Sequence, residues 1–309
     1  MMPATLSTLL DGLIDFAGLF PPAELEMEQM VRAYHAAGVD QRGWMLGRVI
    51  VPVSRLKTFE AAASSLLPDE ADADPWCISA LTRPCGHDGL EEDLATIAAF
   101  NLAHMEPSAG RAMIDVIELK GSAASAVDEA LDMIPDDLFP FVEIPTDGDV
   151  RGLFAVLAGS EAGAKIRTGG VTPDLYPSCA QLAAFLAAAA GSGVPFKATA
   201  GLHHPLPNDH PTIDARQHGF LTVFLSAALA RAQELDVEII ESLLKTCDPD
   251  AFGFQDESAR LGDMEISRDD LEEARLGFAI SFGSCSVEDP WDDLGALGLL
   301  DAAPTEVDS

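Results

Sequence analysis

Short apolar segments alternate with amphipathic ones along most of the chain. Eight apolar segments have the length and composition of buried strands, at residues 13–18, 44–51, 76–81, 113–119, 139–144, 164–168, 194–199 and 277–282. The amphipathic segments between them predict helices at residues 27–37, 56–67, 90–105, 125–133, 150–160, 179–190 and 221–235. This alternation predicts a (β/α)8 TIM barrel as a single domain over residues 1–309. A doubly wound open sheet is the alternative, but no Gly-x-Gly-x-x-Gly turn follows the first predicted strand.

The alternation breaks between the seventh and eighth predicted strands. Residues 202–276 are too many for one helix, and they contain a loop rich in histidine and proline, two or three helices and an acidic stretch. Insertions in barrels commonly follow the C-terminal ends of strands. We therefore predict that 202–276 covers the C-terminal face, as a lid or as a subunit contact in a homo-oligomer. Residues 287–309 are predicted to form an acidic C-terminal tail.

The composition excludes some classes of function. The formal net charge is −33, so nucleic-acid phosphates would be repelled. Such a charge is typical of a halophilic protein, because salt screens the self-repulsion. The five cysteines include no Cys-x-x-Cys pair, which indicates reduced thiols and a cytoplasmic location. No apolar run is long enough to span a bilayer, so we expect no membrane association.

Lysine is rare in this chain, and its positions are informative. Of five lysines, Lys120, Lys165 and Lys197 lie at or near the ends of predicted strands. A desolvated lysine beside another cation loses its proton more easily and can then attack a carbonyl carbon. Residues two apart on a strand share a face, so Lys165 and Arg167 should point the same way, with Arg167 nearer the mouth of the barrel.

Further charged residues lie on the predicted strands, where the C-terminal ends carry catalysis in barrels. They are Asp15, Arg48, Asp115, Glu118 and Glu143. Buried charges of both signs require pairing or a bound anion. Internal ion pairs without a catalytic role are the alternative interpretation.

Three glycine-containing turns follow the last strands. Gly169 and Gly170 follow the Lys165 strand, and Gly201 follows the Lys197 strand. After the last strand come a further glycine and two hydroxyl residues, Ser284 and Ser286. Glycines let backbone N–H groups approach an anion closely, and barrels often bind phosphate beside strands seven and eight. We therefore expect a small anionic substrate, phosphorylated or carboxylated.

Several segments occur in the order found in one enzyme family. They are Ile-Asp-Val-Ile at 114–117, Lys-Ile-Arg-Thr-Gly at 165–169, Phe-Lys-Ala-Thr-Ala-Gly at 196–201 and Phe-Gly-Ser-Cys-Ser at 282–286. The ordered set resembles deoxyribose-phosphate aldolase, a class I aldolase with a barrel fold. The resemblance implies that Lys165 is the Schiff-base lysine, that Lys197 is the second lysine of the site, and that Asp115 takes part in proton transfer. It also implies phosphate binding at the end of the eighth strand.

These observations together predict a lyase without a cofactor or a metal. Lys165 would attack the substrate carbonyl, Lys197 would keep it reactive by like-charge repulsion, and Asp115 and Glu143 would move protons. The predicted substrate-binding residues are Asp15, Arg48, Arg167, Gly169, Gly170, Gly201, His203, Ser284 and Ser286.

Two other functions stay open at this point. The loop at 203–218 contains four histidines, which could hold a metal for hydrolase or lyase chemistry. However, adjacent residues of an extended segment point to opposite sides, so His203 and His204 cannot easily bind one metal. The third hypothesis is a barrel that binds an anion without turnover, with the lysines only as countercharges.

Overall fold

The computed structural model describes residues 2–70, 73–148 and 150–300. Eight parallel strands close into a barrel: β1 (Ile14–Phe16), β2 (Leu46–Pro52), β3 (Trp76–Leu81), β4 (Ala112–Lys120), β5 (Phe139–Glu143), β6 (Gly163–Arg167), β7 (Phe196–Thr199) and, after five short strands outside the barrel, β13 (Ala279–Ser284). Their order around the barrel is β1-β13-β7-β6-β5-β4-β3-β2. The predicted TIM barrel is confirmed, and each predicted strand overlaps a barrel strand.

Helices surround the barrel. They are α1 (Ala4–Leu10), α2 (Met27–Val39), α3 (Leu56–Ala63), α4 (Leu90–His104), α5 (Ala124–Leu131), α6 (Arg151–Ala158), α7 (Cys179–Ser192), α8 (Phe220–Gln233), α9 (Val237–Leu244), α10 (Arg268–Gly277) and α11 (Glu288–Ala296). The ends of α7 follow from local chemistry, since the Ser178 hydroxyl accepts from the Gln181 N–H and Gly193 takes a left-handed conformation after the last turn. No described helix is long and apolar enough to cross a membrane.

The segment between β7 and β13 divides between the two ends of the barrel. Its strands are β8 (Asn208–Asp209), β9 (Arg216–Gln217), β10 (Phe252–Phe254), β11 (Ser258–Leu261) and β12 (Met264–Ser267). The loop before α8 lies at the C-terminal ends of the strands, where His203 lines a cavity. The β10–β12 sheet instead contacts α1 and the end of α8, where Gln233 Nε2 donates to the Glu265 carbonyl over 2.7 Å.

This division differs from the expectation that 202–276 as a whole covers the C-terminal face. The physical reason is that α8 is the crossover helix after β7, and such a helix returns the chain to the N-terminal side of the barrel. The residues after α8 therefore begin on the opposite face. The region predicted as a tail, 287–309, starts with helix α11, and residues 301–309 lie outside the described residues.

Arg275 ties the N-terminal end of the barrel together. Its buried guanidinium donates to the carbonyl oxygens of Leu9 at 2.8 Å, Asp11 at 3.0 Å and Ile280 at 2.6 Å. These contacts join α10, the end of α1 and the start of β13. Burial lowers the pKa of Arg275 to about 10, so the side chain is still a cation at neutral pH.

Replacing Arg275 by methionine should lower the free energy of unfolding by about 3–5 kcal/mol, because buried carbonyls lose their donors. Urea unfolding at pH 7 would measure the change. Arg268→Met is the matched control, since Arg268 lies exposed on the same helix and its loss should change stability by less than about 0.5 kcal/mol. Equal effects of the two substitutions would contradict the structural role of Arg275.

The excess of carboxylates gives a prediction about salt. The range of repulsion between exposed charges falls from about 30 Å in 0.01 M salt to about 3 Å in 1 M salt. With a formal net charge of −33, the melting temperature should rise over this range of potassium chloride. A melting temperature that is constant or falls would remove the halophilic interpretation.

Candidate active site

A cavity of about 210 Å³ lies at the C-terminal ends of the barrel strands. Its polar lining consists of Glu118, Lys165, Arg167, Thr199 and His203. Its apolar and small lining residues are Ala17, Phe20, Pro21, Ile50, Leu81, Gly170, Val171, Leu175, Ala200, Gly283 and Cys285. This is the face on which barrel enzymes hold their active sites.

Lys165 lies between two carboxylates at the base of this cavity. On β6 it is opposite Glu143 of β5. Its amine is 2.8 Å from Glu118 Oε2 and 2.9 Å from Glu143 Oε2. The contact of the Lys165 amine with the buried Glu143 Oε2 is an ion pair.

Lys197 is enclosed below the cavity. Its amine is 2.6 Å from both Asp15 Oδ2 and Glu118 Oε1, and it donates to Ser79 Oγ over 3.3 Å. Ser281 Oγ donates to Asp15 Oδ2 over 2.7 Å. Lys197 does not line the cavity, whereas Lys165 does. The two lysines predicted for the site therefore have different access to a substrate.

Glu118 lies between the two lysines and forms an ion pair with each of them. Burial raises the pKa of Glu118, but the Lys165 and Lys197 charges outweigh it and hold the pKa well below its usual range. Burial also lowers the pKa of Lys197, and Asp15 and Glu118 outweigh it, so the net shift is upward. The sequence predicted like-charge repulsion between the two amines. In the structure, the Glu118 carboxylate lies between them.

Arg167 completes the cluster on the side of the cavity mouth. Its Nε donates to Glu143 Oε1 over 3.2 Å, and about a third of the side chain is exposed. Burial raises the pKa of Glu143, but Lys165 and Arg167 outweigh it and lower the pKa. Three cations (Lys165, Arg167, Lys197) thus meet three carboxylates (Asp15, Glu118, Glu143). A fourth cation, Lys120, lies 4.0 Å from Glu143 Oε1, but its side chain is 71% exposed and does not line the cavity. The other six charges balance one another.

Asp115 and Arg48 lie at the opposite end of the barrel. They form an ion pair in which Arg48 Nε donates to Asp115 Oδ1 over 2.8 Å, and Asp115 lines a separate cavity with residues 134–140, which lead into β5. In the β3–β4 pairing, Ile78 is opposite Ile114 and Ser79 is opposite Val116, which leaves Asp115 as the extra residue of a bulge. Asp115 therefore contacts neither lysine.

Glu118 occupies the position expected for Asp115. The sequence marked Glu118 as a charged residue near a strand end, but it gave no signal of the bulge that changes which side chains of β4 share a face. Arg48 still supports the site through its backbone, since its N–H donates to Asp15 Oδ1 over 2.7 Å.

The glycine turns serve mainly to bring backbones together. A Cβ atom on Gly169 would lie 2.7 Å from the Gly201 Cα atom, and Gly201 has a φ of +77°. The two turns therefore pack on each other. Gly170 lines the cavity, whereas Gly169 and Gly201 do not. Ala200 has a φ of +62°, a strained conformation that is found most often at functional sites.

The two serines predicted to bind phosphate bond to each other instead. Ser284 Oγ donates to the Ser286 carbonyl over 2.6 Å and accepts from the Ser286 N–H over 3.2 Å. Neither residue lines the cavity. The Ser284 hydroxyl is therefore used within the turn, and the Ser286 hydroxyl accepts from the Asp289 N–H at the start of α11.

The four histidines of the 203–218 loop have different neighbours. His203 lines the cavity, His204 Nδ1 is 2.5 Å from Asp293 Oδ2, and His218 Nε2 is 2.7 Å from the Pro177 carbonyl. His210 Nδ1 accepts from the Ile213 N–H over 3.0 Å. No group of three or more histidine, cysteine, aspartate or glutamate residues among those described could hold a metal ion. The metal-dependent alternative therefore has no set of metal ligands among the described residues.

Comparison with known proteins does not identify a family. The sequence matches no protein-family model and no curated protein. The likeness to deoxyribose-phosphate aldolase therefore rests on the short segments alone. Function has to be argued from the residues around the cavity.

Proposed function

We propose that the protein is a class I aldolase-type lyase in which Lys165 forms a Schiff base with a small carbonyl substrate. The observation that carries this proposal is the position of Lys165. Among the described lysines, it alone lines the cavity at the C-terminal ends of the strands. A lysine enclosed by protein and reachable from such a cavity is suited to attack a carbonyl.

The residues around Lys165 supply the proton transfers that this chemistry needs. The Lys165 amine passes a proton to Glu143 Oε2, which lies 2.9 Å away. The neutral amine then adds to the carbonyl carbon. Glu143 returns the proton to the hydroxyl of the adduct, and loss of water gives an iminium. Glu143 or Glu118 next accepts the proton of a substrate hydroxyl.

The carbon–carbon bond breaks as that hydroxyl loses its proton. The bonding electron pair moves into the iminium, which becomes an enamine, and the hydroxyl carbon leaves as a carbonyl. Protonation of the enamine carbon and hydrolysis of the iminium release the second product and restore the Lys165 amine. The same steps in reverse join two carbonyl compounds.

Lys197 has a positioning role in this proposal. It holds Glu118 Oε1 at 2.6 Å, while the other oxygen of that carboxylate faces Lys165. Asp15 and Ser79 fix Lys197 in turn. The second lysine thus keeps a charged acceptor next to the first.

Borohydride reduction in the presence of a panel of aldehydes and ketones tests the proposal. Hydride addition to the iminium gives a stable secondary amine, and intact-protein mass spectrometry detects the added mass. We expect an adduct with compounds that are turned over and none without a carbonyl compound. Treatment with a chelator should leave the adduct unchanged. A turned-over substrate that gives no adduct would contradict Schiff-base chemistry.

A further inference from the structure

The helix that follows the last barrel strand, where barrels commonly bind phosphate, begins with carboxylates in this chain. Helix α11 follows β13 directly, and its N-terminal dipole would attract an anion. However, Glu288 and Asp289 form its first turn, and Ser286 Oγ accepts from the Asp289 N–H over 3.1 Å. The negative charge that the helix end favours is thus provided by the chain itself.

The histidine of the loop after β7 that lies beside this end of α11 carries no positive charge. His203 lies 3.8 Å from Asp289, but burial lowers its pKa more than Asp289 raises it, so the imidazole is neutral at neutral pH. His203 Nδ1 is buried without a hydrogen-bond partner. His204 faces another carboxylate of α11, Asp293. Arg42, a cation beside Glu288, is already paired with both Asp40 and Glu288. A phosphate dianion next to this helix end would therefore meet an excess of carboxylates.

The charged cluster around Lys165 does not supply two positive charges to neutralise a dianion either. Three of its cations are matched by three carboxylates, and the fourth cation, Lys120, does not line the cavity. Arg167 is the most exposed of the three matched cations. Its Nε donates to Glu143 and its Nη1 donates to the Gly169 carbonyl over 3.5 Å, which leaves further guanidinium N–H groups. One guanidinium suits one carboxylate, which it can bind through two parallel hydrogen bonds.

The spacing of Lys165 and Arg167 suits a short molecule. The two oxygens of the Glu143 carboxylate contact Lys165 Nζ at 2.9 Å and Arg167 Nε at 3.2 Å. The amine and the guanidinium therefore lie on either side of a single carboxylate. A compound whose carbonyl and carboxylate are neighbours can reach both, while its remaining part meets apolar residues such as Ile50 and Leu81.

We infer that the substrate is an unphosphorylated oxo acid, with its carbonyl carbon at Lys165, its single carboxylate at Arg167 and its apolar part against the cavity wall. This inference rests on the proposed function and names its substrate class. It differs from the phosphorylated substrate that the aldolase resemblance implies.

Rates of reductive trapping with four probes test the inference. Pyruvate and pyruvamide differ only in the carboxylate, and dihydroxyacetone and its phosphate differ only in the phosphate. Cyanoborohydride reduces the iminium selectively, and intact mass gives the rate of adduct formation. We expect pyruvate to react at least about tenfold faster than pyruvamide, and dihydroxyacetone faster than its phosphate. In Arg167→Gln, the pyruvate rate should fall to that of pyruvamide.

Charge removal on α11 tests the exclusion of phosphate separately. The double variant Glu288→Gln, Asp289→Asn should raise the rate of dihydroxyacetone phosphate relative to dihydroxyacetone. Asp292→Asn is the matched control, because it removes a charge from an exposed position of the same helix and should not change this ratio.

Each outcome separates the inference from the proposed function. Faster trapping of the phosphate than of dihydroxyacetone, or equal rates for pyruvate and pyruvamide, would overturn the oxo-acid assignment and leave Schiff-base chemistry in place. No adduct with any of the four probes, together with none in the wider carbonyl panel, would contradict the proposed function and the inference with it.

Discussion

Replacing Lys165 by arginine is expected to abolish adduct formation and to lower turnover by about 10⁴-fold or more. The guanidinium stays protonated at all accessible pH values, so it cannot form an imine. The variant keeps a positive charge beside Glu118 and Glu143 and should fold. Reductive trapping and steady-state kinetics, with circular dichroism to verify the fold, would measure these effects.

Two other lysines serve as comparisons. Lys57→Arg changes an exposed lysine of α3 and should leave activity unchanged. Lys197→Arg should retain adduct formation at a reduced rate, because Lys197 acts by positioning Glu118. An adduct that persists in Lys165→Arg and disappears in Lys197→Arg would reverse the assignment of the nucleophile.

Removal of the Glu118 charge should have a large effect on stability. Glu118→Gln leaves the buried Lys165 and Lys197 without their shared carboxylate. An incompletely paired buried charge costs about 3–5 kcal/mol, and we expect this loss in the free energy of unfolding at pH 7. Glu92→Gln removes an exposed partner of Arg83 and should cost less than about 1 kcal/mol. Similar losses in the two variants would contradict a buried network.

The difference between wild type and Glu118→Gln should depend on pH. The pKa of Glu118 is lower in the folded than in the unfolded protein, so its contribution is complete above its ordinary value of 4.5. The contribution should decrease as the pH falls below that value. The raised pKa of Lys197 means that its contribution is lost only as the pH rises above its ordinary value of 10.5. Unfolding measurements at several pH values below 7 would detect the acid-side change, and a difference that is constant there would contradict it.

The barrel could be predicted from the sequence because its signals are local. Each buried strand is a short apolar run, and each crossover helix is an amphipathic segment, so both can be recognised without knowledge of their partners. The location of the β10–β12 sheet could not be predicted in this way. It depends on which end of the barrel the chain has reached after α8, which only the assembled structure determines.

The candidate site was partly predictable for the same reason. Lys165, Arg167 and His203 line the cavity, and Glu143 adjoins Lys165, as their places at strand ends suggested. Glu118 was recognised as a charged strand residue but was not assigned to the site, because the resemblance pointed to Asp115 and the bulge at Asp115 has no residue signature here. Ser284 and Ser286 carried the right chemical groups, but nearby backbone groups use both hydroxyls: Ser284 bonds within the turn, and Ser286 accepts from an N–H of α11.

Peptide mapping of the reduced adduct tests the central claim most directly. The wild-type protein would be trapped with a turned-over carbonyl compound, digested and sequenced by tandem mass spectrometry. The account predicts that the added mass lies on Lys165, which lines the cavity, and that Lys197 is unmodified because it is enclosed beneath. Modification of Lys197 alone, or a turned-over substrate that leaves every lysine unmodified, would contradict it.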